Sequence, residues 1–167
     1  SAASDVYKRQ IFKESSSTSK GKDYRMEIQK IFNSFGDSKK SRYHNRYNDY
    51  SRDWETVFNQ MDIYLKKADF FLSLGDMDST IAIALQTLRS IGENYEDELL
   101  YIDDDDDFGT SLYCEHAGGL LMKVVGHPKT TQKQKTDILQ ELRQIAELST
   151  YRNYGIYDID EPMMQIN

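Results

Sequence analysis

A run of five consecutive aspartates is the strongest candidate for metal chemistry in this chain. Aligned with a calcium-loop template, Asp104 and Asp106 fall at ligand positions 1 and 3. Gly109 then falls at the sharp turn and Glu115 at the bidentate position 12. Phe108, however, occupies position 5, where the template needs an oxygen ligand. The sequence therefore favours a solvated acidic turn, with calcium binding or docking of a basic partner as alternatives.

A second candidate site is residues 39–54, where cations alternate with aromatic rings. Proteins that bind single-stranded nucleic acid stack bases on such rings and place such cations near phosphates. The same rings pack equally well on a helical body, so intramolecular packing or a plain linker is the favoured interpretation. The residues that would contact nucleic acid are Lys39, Lys40, Arg42, Tyr43, Arg46 and Tyr47.

Cys114, His116 and His127 are the remaining side chains that could bind a metal, but they do not make up the four ligands of a structural zinc site. A helix would also place Cys114 and His116 on different faces. We expect Cys114 to be a thiol at the edge of the core and His127 to lie in a turn. No metal site is expected from these three residues.

Motifs typical of enzymes are missing from the sequence. It contains no glycine-rich phosphate loop, no H-E-x-x-H motif and no G-x-S-x-G motif. One cysteine and three histidines leave few nucleophiles or bases apart from carboxylates. We therefore expect a chain that is not an enzyme and that binds neither a cofactor nor a small-molecule substrate.

Charge is distributed unevenly along the 167 residues, whose net charge is −7. Residues 1–52 carry 12 Lys/Arg against 6 Asp/Glu, whereas residues 53–167 carry 9 against 22. An acidic surface repels nucleic acid, so any phosphate contact should come from the basic leader or from a missing part of the protein. No apolar run approaches the roughly 20 residues of a membrane span, and one cysteine fits a reducing compartment. These features predict a cytoplasmic protein.

Hydrophobic spacing indicates a helical hairpin in the middle of the chain. One apolar stripe ends at Gly75, a residue that can adopt the left-handed conformation of a helix C-terminus, and Asp76 or Asp78 can cap the next helix. Helices joined by so few residues fold back antiparallel. We predict an all-α fold of antiparallel hairpins, either tetratricopeptide-like or an irregular bundle. The two stripes are Val57, Met61, Tyr64, Leu65, Ala68 and Leu72, followed by Ile81, Ala84, Leu85, Leu88, Ile91, Tyr95 and Leu99.

Four further helices are expected outside this hairpin. A short one runs from Asp23 to Gly36, and another starts with Thr110 or Ser111 as its cap. A capping-box spacing at Thr131 opens the next, whereas Asp160 and an early Pro162 open a last helix that is cut off. The expected organisation is a disordered leader of foreign origin, a short helix with a basic-aromatic linker, a helical domain and a tail, at residues 1–22, 23–52, 53–150 and 151–167.

The region from Trp54 to Ile166 resembles the helical part of bacterial SWIM zinc-finger proteins, which follows the finger. The resemblance implies a zinc-bearing module upstream, of the form C-x-C…C-x-H, that contacts DNA or proteins. Cys114 alone cannot supply those ligands, so no zinc ligand is assigned here. The residues that carry the resemblance are Trp54, Ala68-Asp69, Gly75-Asp76, Ala82, Leu88, Ile91-Gly92, Tyr95-Glu96-Asp97, Asp103-Asp104, Tyr151-Arg152-Asn153-Tyr154 and Ile156-Tyr157-Asp158-Ile159-Asp160.

The sequence thus predicts a non-catalytic helical scaffold that binds a protein partner, in a fragment of a longer zinc-finger protein. Nucleic-acid contact through residues 39–54 is the first alternative, and a calcium-binding acidic loop is the second.

Overall fold

The computed structural model describes residues 2–18, 23–41, 48–95, 110–154 and 157–166. Nearly all of these residues lie in helices. No strand occurs among these residues, so the all-α prediction is confirmed for them. The helices are α1 (Ala2–Thr18), α2 (Tyr24–Ser41), α3 (Asn48–Ser73), α4 (Met77–Tyr95), α5 (Thr110–Val125), α6 (Gln132–Ala146), α7 (Ser149–Tyr154) and α8 (Tyr157–Ile166).

Helix α4 lies at the centre of the bundle, in contact with α2, α3, α5, α6 and α7. Its buried positions include the polar residues Thr80, Gln86 and Thr87. The predicted stripe is buried from Ile81 to Ile91, whereas its last member, Leu99, lies outside the described residues. These groups are satisfied locally: Thr87 donates to the Ile83 carbonyl at 2.7 Å, and the Gln86 amide donates to Ser90 at 2.9 Å. A helix buried on every side can carry polar residues only when such bonds form.

The turn between α3 and α4 forms as predicted. Gly75 has φ of 80°, its N–H donates to the Leu72 carbonyl at 3.0 Å, and the Asp76 N–H donates to the Phe71 carbonyl at 2.9 Å. This pair of bonds is a Schellman motif. Asp76 then caps α4, because its carboxylate accepts from the Ser79 N–H at 3.1 Å.

We expect Gly75→Val to destabilise the protein by about 1 kcal/mol or more, because a β-branched residue is strained at positive φ. Gly75→Asn should cost less, since asparagine tolerates the left-handed region. Urea unfolding of both variants measures the difference. Equal stability of the valine variant and the unsubstituted protein would contradict this role for Gly75.

The predicted capping box of α6 is confirmed. Thr131 accepts from the Gln134 N–H at 3.1 Å, and the Gln134 side chain accepts from the Thr131 N–H at 2.9 Å. The Gln134 amide also donates to Asp78 at 2.8 Å, which ties the start of α6 to the start of α4. A local cap therefore also fixes a tertiary contact.

Several predicted boundaries in the N-terminal half differ from the structure. Helix α2 continues through Gly36 to Ser41, because one glycine costs a helix only about 1 kcal/mol. Helix α3 begins at Asn48, so most of the predicted linker is helical. The predicted disordered leader includes α1, whose residues contain many good helix formers and neither glycine nor proline, and α1 packs against α3.

The C-terminal boundaries also needed correction. Thr110 is the first residue of α5, so Thr110 and Ser111 lie within the helix and not at its cap. The short helix α7 was not predicted, and α8 begins at Tyr157, three residues before the predicted cap Asp160. Pro162 consequently lies inside α8 and leaves the Asp158 carbonyl without an i+4 donor.

Candidate functional site

The residues proposed for calcium binding are not brought together within the described part of the chain. Asp104 and Asp106 lie outside the described residues. Glu115 is exposed on α5 and lies near Asp158 of α8. Among the described residues, no group of three His, Cys, Asp or Glu side chains is arranged to hold a metal ion. Calcium binding therefore stays a prediction.

The nucleic-acid residues also fall mostly outside the described ranges. Lys39 and Lys40 lie in the last turn of α2. Arg42, Tyr43, Arg46 and Tyr47 are outside the described residues. Nucleic-acid contact through this segment stays a prediction.

Cys114 and Tyr151 form a buried polar pair between α5 and α7. The Cys114 sulfur lies 3.9 Å from the Tyr151 hydroxyl, which donates to the Leu88 carbonyl of α4. Burial raises the pKa of the Cys114 thiol to about 12, although the Tyr151 hydrogen bond lowers it. The thiol is therefore protonated at neutral pH, and it lies fully inside the core and not at the edge that the sequence predicted.

The two histidines of the α5 region have separate partners. His116 Nε2 lies 2.9 and 3.1 Å from the carboxylate oxygens of Asp69 and so links α5 to α3. His127 lies in the turn before α6, where its Nδ1 accepts from the Lys129 N–H at 3.1 Å. The turn position predicted for His127 is confirmed.

An open cleft between α4 and α6 is a candidate binding site. It has a volume of about 300 Å³ and a polar lining. Helix α6 contributes most of the lining, because its positions 137, 140, 141 and 144 share one face. Helix α4 contributes an arginine that is the only charged residue between Asp78 and Glu93. The lining residues are Arg89, Asp137, Gln140, Glu141 and Gln144.

A carboxylate shared by two arginines forms the floor of this cleft. Arg25 of α2 binds Glu141 in a bidentate manner, with Nη1–Oε1 and Nη2–Oε2 distances of 2.6 and 2.8 Å. Such forked pairs are the strongest arginine–carboxylate contacts. The Glu141 side chain is only 18 % exposed, so α2, α4 and α6 meet at a largely desolvated charge.

Arg89 is held more loosely than Arg25. A single nitrogen, Nη2, makes both of its contacts, at 3.4 Å to Glu141 and 3.2 Å to Gln144. Within the described residues Nη1 and Nε make no hydrogen bond. Because Nη1 and Nε are unused and the single charge of Glu141 is shared with Arg25, the guanidinium of Arg89 keeps donors and positive charge available to a ligand.

The cleft was not found from the sequence because Arg25, Arg89 and Glu141 are far apart in the chain, with Arg25 and Glu141 separated by 116 residues. One signal was present. An arginine inside the apolar and small-residue run of α4 must either reach solvent or find a carboxylate. That rule identifies Arg89 as unusual, but it does not identify Glu141 as the partner.

Asp158 provides a pH-dependent test of the contact between α5 and α8. Burial, followed by the charges of Glu115 and Glu161, raises the pKa of its carboxyl group, whereas a hydrogen bond from its own backbone opposes this shift. A raised folded-state pKa gives stability that is fully present below the unfolded-state pKa and is lost as pH rises through the folded-state pKa.

We therefore expect the free energy of unfolding of Asp158→Asn, relative to that of the unsubstituted protein, to be higher at pH 7 than at pH 3.5. Urea unfolding of both proteins at the two pH values measures this difference. Glu115→Gln should act in the same direction, because it removes one of the repelling charges. A relative stability of Asp158→Asn that does not change with pH would contradict the raised pKa.

Comparisons with protein-family models, curated proteins and solved structures give no match to this chain. The helices of the described residues include none that is both long and apolar enough to cross a membrane. The resemblance to SWIM zinc-finger proteins therefore stays a prediction.

Proposed function

We propose that this chain is a non-catalytic helical scaffold that binds an extended peptide segment of a partner protein in the cleft between α4 and α6. The observation that supports the proposal most directly is the lining of that cleft. Gln140 and Gln144 are exposed there beside a guanidinium with unused donors. Glutamine amides both donate and accept, which matches the alternating N–H and C=O groups of a peptide main chain.

The length of the polar face on α6 also suits a peptide. Asp137 and Gln144 are seven residues apart, so the face extends for about 10 Å along the helix axis. An extended chain advances about 3.3–3.6 Å per residue. The face therefore matches about three residues of an extended segment.

The burial and the raised pKa of Cys114, the one cysteine in the sequence, support a function without catalysis. Cys114 is buried and its pKa is raised to about 12, so it does not supply a thiolate at neutral pH. A lone, buried and unpaired cysteine also fits the reducing environment of the cytoplasm, the compartment that we propose.

A second part of the proposal concerns the protein to which the chain belongs. From the resemblance described above, we propose that the helical region follows a SWIM-type zinc finger. Recovery of the full reading frame tests this idea. An upstream C-x-C…C-x-H ligand set would support it, whereas a different upstream module would remove it and leave the scaffold proposal intact.

Selection of peptides from a display library against the full chain tests the binding function. We expect enrichment of peptides whose binding is lost with Gln144→Ala and Arg89→Ala. Arg143→Ala is the matched control, because Arg143 is exposed on the same helix but does not line the cleft. Failure to enrich any peptide, or enrichment of peptides that bind all variants equally, would contradict the proposal.

A further inference from the structure

The two ends of the cleft carry opposite charges, and from this arrangement we infer the chemistry of the peptide. The inference rests on the proposed peptide-binding function. We propose that the cleft selects a dipolar segment, with an acidic side chain at the Arg89 end and a lysine or arginine at the Asp137 end. Binding requires no charge on the other residues of the segment.

Arg89 defines the acidic end of the ligand. Its contacts with Glu141 and Gln144 place the guanidinium toward the C-terminal end of the α6 face. The Arg89 side chain is 24 % exposed, so it is partly desolvated but still accessible. A ligand carboxylate can accept from the unused Nη1 or from the unused Nε without displacing Glu141, and because these two groups point to opposite edges of the guanidinium, the contact uses one of them.

Asp137 defines the basic end. It is exposed, lines the cleft, and makes no ion pair or hydrogen bond within the described residues. Arg89 and Arg25 are both engaged with Glu141, further along α6. The Asp137 carboxylate therefore forms no ion pair among the described residues, although Lys133 lies one turn before it on α6, and it can accept from an ammonium or guanidinium group of the ligand.

The separation of the two charges sets their spacing in the peptide. Side chains two residues apart in an extended segment point to the same face and are about 7 Å apart. Asp137 lies about 10 Å from the Gln144 end of the cleft along α6. The flexible stem of a lysine covers the part of this distance that the peptide backbone does not span. The ligand is therefore expected to contain a basic and an acidic residue separated by one residue, in either order, because the lining of the cleft does not set the direction of the peptide.

Nuclear magnetic resonance titration of the full chain tests this inference. The probe is acetyl-Glu-Ala-Lys-Ala-Glu-amide, which contains the two charges in both orders, and the control peptide is acetyl-Gln-Ala-Gln-Ala-Gln-amide, which has the same length and no charge. We expect saturable shifts of the Gln140 and Gln144 side-chain amide signals with the charged peptide. The dissociation constant should increase at least tenfold for the neutral peptide, and also for the charged peptide with Arg89→Gln or Asp137→Asn.

Arg143→Gln serves as the matched variant for charge, because Arg143 is exposed on α6 but does not line the cleft, and it should leave binding of the charged peptide unchanged. Thermal melting of each variant verifies that its fold is intact. Equal binding of the neutral and charged peptides would overturn the dipolar inference but leave peptide binding standing. Absence of shifts with both peptides would overturn the inference as well, and the display experiment then decides separately whether the cleft binds peptides at all.

Discussion

Phe71→Ala is expected to destabilise the protein by about 3–5 kcal/mol, the range measured when a buried phenylalanine is truncated. Phe71 is completely buried near the end of α3, and its ring centroid lies 5.4 Å from that of Tyr24 in α2. Truncation would leave a cavity where α2 and α3 meet, and it would remove the aromatic contact with Tyr24. Urea unfolding measures the loss of stability.

Ile63→Ala is the matched control on the same helix, because the Ile63 side chain is 47 % exposed. Its replacement should change stability by less than about 1 kcal/mol. Phe71→Leu should fall between the two, because leucine fills part of the space. Similar losses for Phe71→Ala and Ile63→Ala would contradict the packing of α3 described above.

Gly118→Ala is expected to destabilise the contact between α5 and α8. A β-carbon added at Gly118 would lie 2.7 Å from the Asp158 carbonyl oxygen and 2.8 Å from the Asp158 β-carbon. The oxygen belongs to the backbone, so it cannot move aside without shifting α8. Overpacking of this kind costs about 1–3 kcal/mol.

Gly119→Ala provides a matched comparison for Gly118→Ala. A β-carbon at Gly119 has no neighbouring atom within 4 Å, and both glycines lie inside α5. Both substitutions gain about 1 kcal/mol of helix propensity, so the difference between the two variants isolates the packing cost. Gly119→Ala should therefore be stabilising. Equal stability of the two variants would show that α8 does not pack closely on α5.

Most helices could be predicted because their signals are local. The stripe from Val57 to Leu72 identified α3, although it omitted Phe71, which continues the same stripe three residues after Ala68. The caps at Asp76 and Thr131 were also recognisable, because each involves residues only three positions apart. Stop signals were less dependable, as the continuation of α2 beyond Gly36 shows.

The candidate site could not be predicted to the same extent. The sequence directed attention to Asp104, Asp106 and Glu115 and to the segment from Lys39 to Tyr47, whereas the cleft lies elsewhere. Its central contact joins Arg25, Arg89 and Glu141, which belong to three different helices. Spacing along one helix indicates which residues share a face, but it does not indicate which faces meet.

The sequence by itself determined the helical class of this protein, the Gly75 turn and the capping box of α6. Hydrogen bonds, caps and the 3.6-residue period depend on neighbours a few residues away, so they can be read from a single chain. Only the tertiary structure decided that α4 is central and that Glu141 binds two arginines. Those features depend on which surfaces are removed from water together, and burial is settled by packing of the whole chain.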